Sequence, residues 1–195
     1  MKKIDTNIYS YIIDDNDNIL SINSEKWDYF YEKNSNGSLC LSPDIIKESL
    51  WKYIDGFETS HLYKNIINNV RTYKKEITIP FRCDSPSQRR FLNLTLKPLA
   101  NNHIEFISKI EKVEDREYVS LFDDTRDFSE EILISCSMCK KIKLEENLWE
   151  EVETAVISLK LFEKPKLPML SHGLCPYCHK LSMDEVDKFL KSIDE

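Results

Sequence analysis

The chain has 195 residues, of which 41% are hydrophobic, and this is enough for one full domain and a smaller second unit. The formal net charge of -7 argues against a nucleic-acid-binding protein, because such proteins present a basic face to the phosphates. The first residues are too polar for an export signal, and no later run approaches membrane-spanning length. We therefore expect a cytoplasmic protein without membrane contact, in which free cysteines stay reduced and clustered ones bind metal or do redox chemistry.

Apolar runs in the first part of the chain predict a sheet of five strands. Residues 14 to 18 are all Asp or Asn, which favour turns, and they predict a hairpin between the first two runs. A long helix is expected at about 58 to 74, because Leu62, Ile66 and Val70 fall on one face. The predicted strands are 8 to 13, 19 to 22, and three alternating runs around Ile79, Leu94 and Phe106.

The predicted fold class is α+β, with a five-stranded antiparallel sheet that buries its apolar face under helices. Residues 114 to 131, rich in Asp and Glu, are interpreted as an acidic linker or a connecting helix. The remainder is expected to be mostly helical, with one amphipathic helix around Trp149 and a last helix that starts at the capping box 182 to 185. The predicted domains are therefore 1 to 113, the linker, and 132 to 195.

Two Cys-x-x-Cys hooks carry the clearest chemistry. Cys136 and Cys139 form the first hook, and Cys175 and Cys178 form the second after thirty-five intervening residues, 140 to 174. Together they supply four thiolates, which complete a tetrahedral shell around one metal ion. Since no coordination position is left open, we predict a structural zinc, with iron as the alternative metal. Bound zinc contributes roughly 10 to 16 kcal/mol to folding, so the metal would decide whether this small unit folds.

Other interpretations of the second hook stay open. The run from Cys175 to His179 also has the spacing of a haem attachment site, but that chemistry requires export and leaves the first hook without a role. Redox-active thiols are a further alternative. His172 and His179 are candidates for hydrogen bonds to the sulfurs or for replacing one of the metal ligands, although exposed surface histidines are the simpler interpretation.

Five further residues are candidates for ligand or anion binding. Trp27, Trp51 and His61 would lie near a pocket between helices and sheet, although core packing of the tryptophans and a surface position of the histidine are simpler interpretations. Arg82 and Arg89 belong to a charged cluster between the third and fourth strands. Arginine binds anions or carboxylates with two donors at once, while a solvated turn is the simpler interpretation.

Several segments resemble known proteins. Residues 49 to 70, SLWKYIDGFETSHLYKNIINNV, are similar to the region where PAS proteins pass from short helices into a long one. The chain also resembles a family of uncharacterised bacterial PAS-like proteins with a tail of two cysteine pairs. The segments that carry this resemblance are PFRCDSP (80 to 86), RRFLNLTLKPL (89 to 99), CSMCKKI (136 to 142), LWEEVETAV (148 to 156) and LPMLSHGLCPYC (167 to 178). The resemblance implies a PAS-like sensor domain at 1 to 113 and does not specify its small-molecule ligand.

No enzymatic activity is expected, because the chain has no phosphate-binding glycine loop, no HExxH motif and no nucleophile elbow. We predict a sensory or regulatory protein in signal transduction, whose PAS-like domain is coupled to the zinc module. Its output would be contact with a protein partner or with a second copy of itself. The alternatives are a zinc-dependent nucleic-acid-binding regulator, suggested by lysines beside the hooks, and a thiol redox sensor that uses the Cys-x-x-Cys pairs.

Overall fold

A computed structural model describes residues 8–23, 42–123 and 125–193. Among these residues, no helix is both long and apolar enough to cross a lipid bilayer. The strands are β1 (Ile8–Ile13), β2 (Ile19–Ile22), β3 (Ile77–Arg82), β4 (Gln88–Pro98), β5 (Ile104–Asp115), β6 (Phe128–Cys136), β7 (Ile142–Glu145), β8 (Leu148–Glu150) and β9 (Leu167–Gly173). The helices are α1 (Ser42–Ile45), α2 (Phe57–Tyr73), α3 (Val152–Ser158) and α4 (Pro176–Lys191).

The first sheet is antiparallel and has the strand order β2-β1-β5-β4-β3. Its two faces differ because side chains alternate along each strand. Ile79 pairs with Leu94 on the buried face, whereas the Thr78 and Thr95 hydroxyls meet at 2.8 Å on the exposed face. The predicted α+β class and the five-stranded antiparallel sheet are confirmed.

Helix α2 packs on the buried face of this sheet, close to the predicted range. Leu62, Ile66 and Val70 are buried and share one hydrophobic core with Phe106 of β5, which is completely buried. The same core continues into the two cysteine hooks and into α4, through Val186 and Phe189 among others. The hooks are therefore built onto the core that α2 and the first sheet form.

The C-terminal part contains a second sheet of four strands, in the order β8-β7-β6-β9. The prediction of a mostly helical unit was therefore wrong. Trp149 lies on β8 and pairs with Lys143, and helix α3 begins only at Val152. The apolar positions that suggested one helix are divided between a strand and the short helix after it. Residues of α3, β7 and β9 form a second core that includes Ile142 and Ala155.

The last helix starts earlier than the predicted capping box. Cys175 is its N-cap residue, and Pro176 occupies the first turn, where a missing N–H costs no hydrogen bond. Ser182 instead lies inside the helix and is buried. The second hook therefore serves as the start of α4, which is why a capping pattern based on Ser, Thr and Glu located the wrong residue.

The acidic segment contains no α-helix over the described residues 114–123 and 125–131, so the predicted connecting helix is not found there. β5 continues to Asp115, a 3₁₀ turn covers Ser120–Phe122, and β6 begins at Phe128. Val119 and Leu121 are buried in the second core, and they anchor this segment to the fold. The division of the chain into three domains stays a prediction.

A buried charged network connects the β3–β4 hairpin to the segment before α3. Arg82 contacts Asp84 at 2.5 Å and Glu151 at 2.9 Å, and Arg116 contacts Asp84 at 3.1 Å. Burial disfavours the charge on Arg82, but the hydrogen bonds to Asp84 and Glu151 outweigh it and raise the pKa of the guanidinium. The Asp84 side chain is 0% exposed, so this cluster is an internal ion network and not a solvated turn.

Removal of the Arg82 guanidinium tests how much this network stabilises the fold. Arg82→Met leaves the buried Asp84 carboxylate without one of its partners, so we expect a loss of about 3 kcal/mol in the free energy of unfolding, measured with urea. The matched control is Lys109→Met, because the pair between Lys109 and Glu111 is exposed. This control should change stability by no more than about 0.5 kcal/mol. Equal effects of the two substitutions would contradict a structural role for the network.

Candidate metal centre

The four predicted cysteines lie together. The Sγ atoms of Cys136, Cys139, Cys175 and Cys178 are all within 4.8 Å of one another, and those of Cys139 and Cys175 are 3.8 Å apart. A tetrahedral zinc ion with bonds of about 2.3 Å holds its sulfurs ~3.8 Å apart. The four side chains can therefore hold one metal ion with little rearrangement, and four sulfur donors suit zinc or iron.

The second sheet explains why two hooks so distant in sequence meet. β6 and β9 are parallel neighbours, and their register places Cys136 opposite Gly173. The first hook begins at the last residue of β6, and the second hook begins two residues after the end of β9, so both hooks emerge at the same end of the sheet. The Ser137 N–H donates to the Gly173 carbonyl at 2.9 Å, which extends the pairing into the first hook. The hooks are thus positioned by backbone pairing.

The sulfurs lie in a buried environment with backbone donors. Cys136, Cys175 and Cys178 are buried, whereas Cys139 is partly exposed. The Cys175 N–H donates to the Cys136 sulfur at 3.4 Å, and the Cys178 N–H donates to the Cys175 sulfur at 3.4 Å. Such donors favour the thiolate form. Burial alone disfavours it, so the donors and the ion together have to stabilise the charge of four thiolates.

Hydrogen bonds among the sulfurs divide the protons unequally. Hydrogen bonds from Cys139 and Cys178 lower the pKa of the Cys136 thiol. The bond with Cys136 raises the pKa of Cys139 to about 12, and bonds with Cys136 and Cys139 raise the pKa of Cys178. A metal ion that binds here displaces the protons held by these thiols, because only thiolates are strong ligands.

Three residues at the start of α2 contact the first hook or the residues just before the second hook, and the sequence did not identify any of them as site residues. The Glu58 carboxylate accepts a hydrogen bond from the Leu174 N–H at 3.1 Å. The Thr59 hydroxyl meets the Ser137 hydroxyl at 2.8 Å, and Ser137 lies within the first hook. Gly56, the N-cap residue of α2, lies against the His172 backbone of β9.

Gly56 permits a close backbone approach between the start of α2 and His172 of β9, just before the second hook. Its φ of +88° lies in the region that favours glycine, and a Cβ at this position would lie 2.6 Å from the His172 carbonyl oxygen. Gly173 is also crowded, because its Cβ would lie 2.9 Å from Ile134. Gly56 and Gly173 are two of the three glycines in the chain.

The candidate histidines lie beside the cluster in sequence but face outward. The His172 Nδ1 lies 3.5 Å from the Asp55 carboxylate, and both side chains are exposed. His179 is exposed on α4. The group of candidate metal ligands consists of the four cysteine sulfurs and includes neither His172 nor His179.

The other candidate residues have local partners. The Trp51 indole donates to Asp17 at 2.9 Å, with the Lys64 ammonium 4.9 Å from the centre of its ring. His61 is exposed and stacks on Phe57 with 6.3 Å between ring centres. Trp27 lies outside the described residues.

The two candidate arginines pair with carboxylates of this chain. Arg82 contacts Asp84 and Glu151, and Arg89 contacts Glu153 at 2.6 Å. An external anion at these side chains would have to compete with those internal partners.

Comparison with known proteins gives a structural likeness to a PAS domain and no sequence match. No protein-family model matches the chain, and no curated protein sequence matches it. Among solved structures, the chain is similar to the PAS domain of the quorum-sensing receptor RpfR of Cronobacter turicensis, determined in complex with C12:0. The sequences are 12% identical, the TM-score is 0.39, and the match covers 54% of this chain and 95% of that domain.

Metal content tests the assignment of the four cysteines. The purified chain is expected to carry one zinc ion, and Cys136→Ser should remove most of it, because the Cys136 sulfur is completely buried among the other three. Elemental analysis with an absorption spectrum measures both the amount and the kind of metal. Cys83→Ser is the matched control, since Cys83 lies outside the cluster. The assignment fails if both variants retain the same metal content.

Proposed function

We propose that this protein is a non-enzymatic sensory or regulatory protein, in which a PAS-like domain at 1 to 113 is coupled to a structural zinc module at 132 to 195. Its output is contact with another protein or with a second copy of itself. The observation that carries the proposal is the direct contact of the start of α2 with Ser137 in the first hook and with Leu174, the residue immediately before the second hook. The sequence similarity of residues 49 to 70 to PAS proteins agrees with a helix packed across a five-stranded antiparallel sheet.

The contacts explain how the two parts influence each other. A bound metal fixes the hooks and therefore the Ser137 hydroxyl and the Leu174 N–H, which are the partners of Thr59 and Glu58. Each such hydrogen bond contributes about 1 kcal/mol. The coupling is reciprocal. A ligand that displaces the start of α2 therefore weakens metal binding by the same factor by which the bound metal weakens binding of that ligand. A ligand or partner of the PAS-like domain acts on the metal module through this contact.

Exposed aromatic side chains next to the contact support a protein partner. Phe57, the first residue of α2, is 87% exposed, and Tyr177 in the second hook is 72% exposed. Large exposed aromatics are typical of surfaces that bind other proteins. The net charge of -7 weighs against the nucleic-acid alternative.

Substitution of Glu58 tests the coupling. Glu58→Gln weakens the hydrogen bond to the Leu174 N–H, so we expect the metal dissociation constant to rise about three- to tenfold. A competition titration with a chromophoric chelator measures it, and hydrogen exchange of the metal-loaded protein should become faster in the first turns of α2. The matched control is Glu163→Gln, at an exposed carboxylate in a 3₁₀ turn. Unchanged metal affinity in the Glu58 variant would contradict the coupling.

The proposed output is tested with the metal-loaded full chain. Gel filtration should show a dimer, or a pull-down should recover a protein whose retention is lost when a chelator removes the metal. Removal of the metal releases the hooks and with them the arrangement of Tyr177 and Phe57. A strictly monomeric chain that retains no metal-dependent partner argues against output through protein contacts.

A further inference from the structure

Cys139 differs from the other three cysteines of the cluster, because solvent reaches it. Cys136, Cys175 and Cys178 are 0%, 2% and 5% exposed, whereas Cys139 is partly exposed. All four are equivalent as metal ligands by residue type, so exposure decides which sulfur an external reagent meets first.

Two grooves in the protein surface lead to Cys139, and both are bordered by Tyr177. The sheet groove lies where β3 and β4 approach the first hook and α4, and has a volume of about 210 Å³. The loop groove lies beside the turn between β7 and β8 and has a volume of about 470 Å³. Cys139 and Tyr177 are the residues that line both grooves.

The sheet groove presents almost only carbon to an incoming molecule. Its walls include Pro80, Phe81, Phe91, Leu92, Met138 and Leu181.

The polar residues of the sheet groove are paired within the protein. The Asn93 side chain donates to Glu111 at 3.2 Å, and Arg82 is held by Asp84 and Glu151. Cys139 and Cys178 both line this apolar groove, and Cys139 is the more exposed of the two.

The loop groove is different, because Lys141 and Asn147 are among its lining residues. These polar side chains make the binding of an apolar molecule less favourable there than in the sheet groove. The size of the sheet groove suits a single ring or a short chain, since an apolar cavity of about 150 Å³ accommodates benzene.

We propose that Cys139 is a modification site, at which small apolar α,β-unsaturated carbonyl compounds that enter the sheet groove alkylate the metal centre. This inference rests on the proposed function only in that a metal holds the thiolate. The Cys139 sulfur forms a bond to the β-carbon of the reagent, and the electron pair of the carbon–carbon double bond moves to the α-carbon. The α-carbon takes a proton from water and leaves hydroxide.

The consequence follows from the charge of the product. The thioether is neutral and binds metal more weakly than the thiolate it replaces, so three thiolates remain on the ion. The first hook then holds the metal through Cys136 alone, and Ser137, which lies between the two cysteines of that hook, is the partner of Thr59 on α2. Alkylation at Cys139 is thereby transmitted to the PAS-like domain.

The test compares two reagents that share one reactive group. Metal-loaded full chain is treated with N-phenylmaleimide or with maleimide, labelling of each cysteine is followed by peptide mass spectrometry, and metal release is followed with a chromophoric chelator. We expect Cys139 to react first of the four. Relative to Cys83, a partly exposed thiol outside the cluster, Cys139 should favour the phenyl reagent about fivefold or more, because the ring is buried in the groove.

Two variants assign this preference to the groove. Leu181→Asn places a polar group in the sheet groove and should abolish the preference for the phenyl reagent, whereas Leu148→Asn, in the loop groove, should retain it. Both variants are first checked for full metal content. The inference is overturned if metal-loaded Cys139 reacts no sooner than the other three, or if both variants retain the preference. Absence of metal from the purified chain is a different result, which overturns the proposed zinc module itself.

Discussion

The register of β6 against β9 is the constraint on which the rest of the site depends. Because the two strands are parallel neighbours and Cys136 lies opposite Gly173, both hooks leave the second sheet at the same end. A shift of one residue in this register would turn alternate side chains to the other face and separate the sulfurs. Backbone pairing therefore brings the donors together, and a metal ion with a fixed tetrahedral geometry would reinforce that register.

The first hook, at this end of the second sheet, also pairs with the edge of the first sheet. β3 is an edge strand, and its Arg82 N–H donates to the Met138 carbonyl in the first hook at 2.7 Å. The guanidinium of Arg82 pairs with Asp84 and with Glu151 before α3. One residue thus protects an exposed strand edge through its backbone and connects the two sheets through its side chain.

Parts of the fold with a local physical signature were predictable. The strands around Ile79, Leu94 and Phe106 follow from alternation against one buried face, and α2 follows from a stripe of apolar residues at helical spacing. The second sheet was missed because β7 and β8 are short and β6 begins within the segment that was interpreted as an acidic linker. In addition, β8 runs almost directly into α3, so the apolar positions of strand and helix merge into one pattern. The start of α4 was misplaced because Cys175 serves both in the hook and as the helix cap.

The sequence by itself determined the donor set, because two Cys-x-x-Cys pairs together supply the four sulfur ligands of a tetrahedral metal site. Only the tertiary structure decided what that site contacts and which sulfur is open to solvent. Glu58 and Leu174 are 116 residues apart, and Thr59 and Ser137 are 78 apart. No local pattern encodes such pairs, since each depends on how α2 packs against the ends of two strands formed much later in the chain.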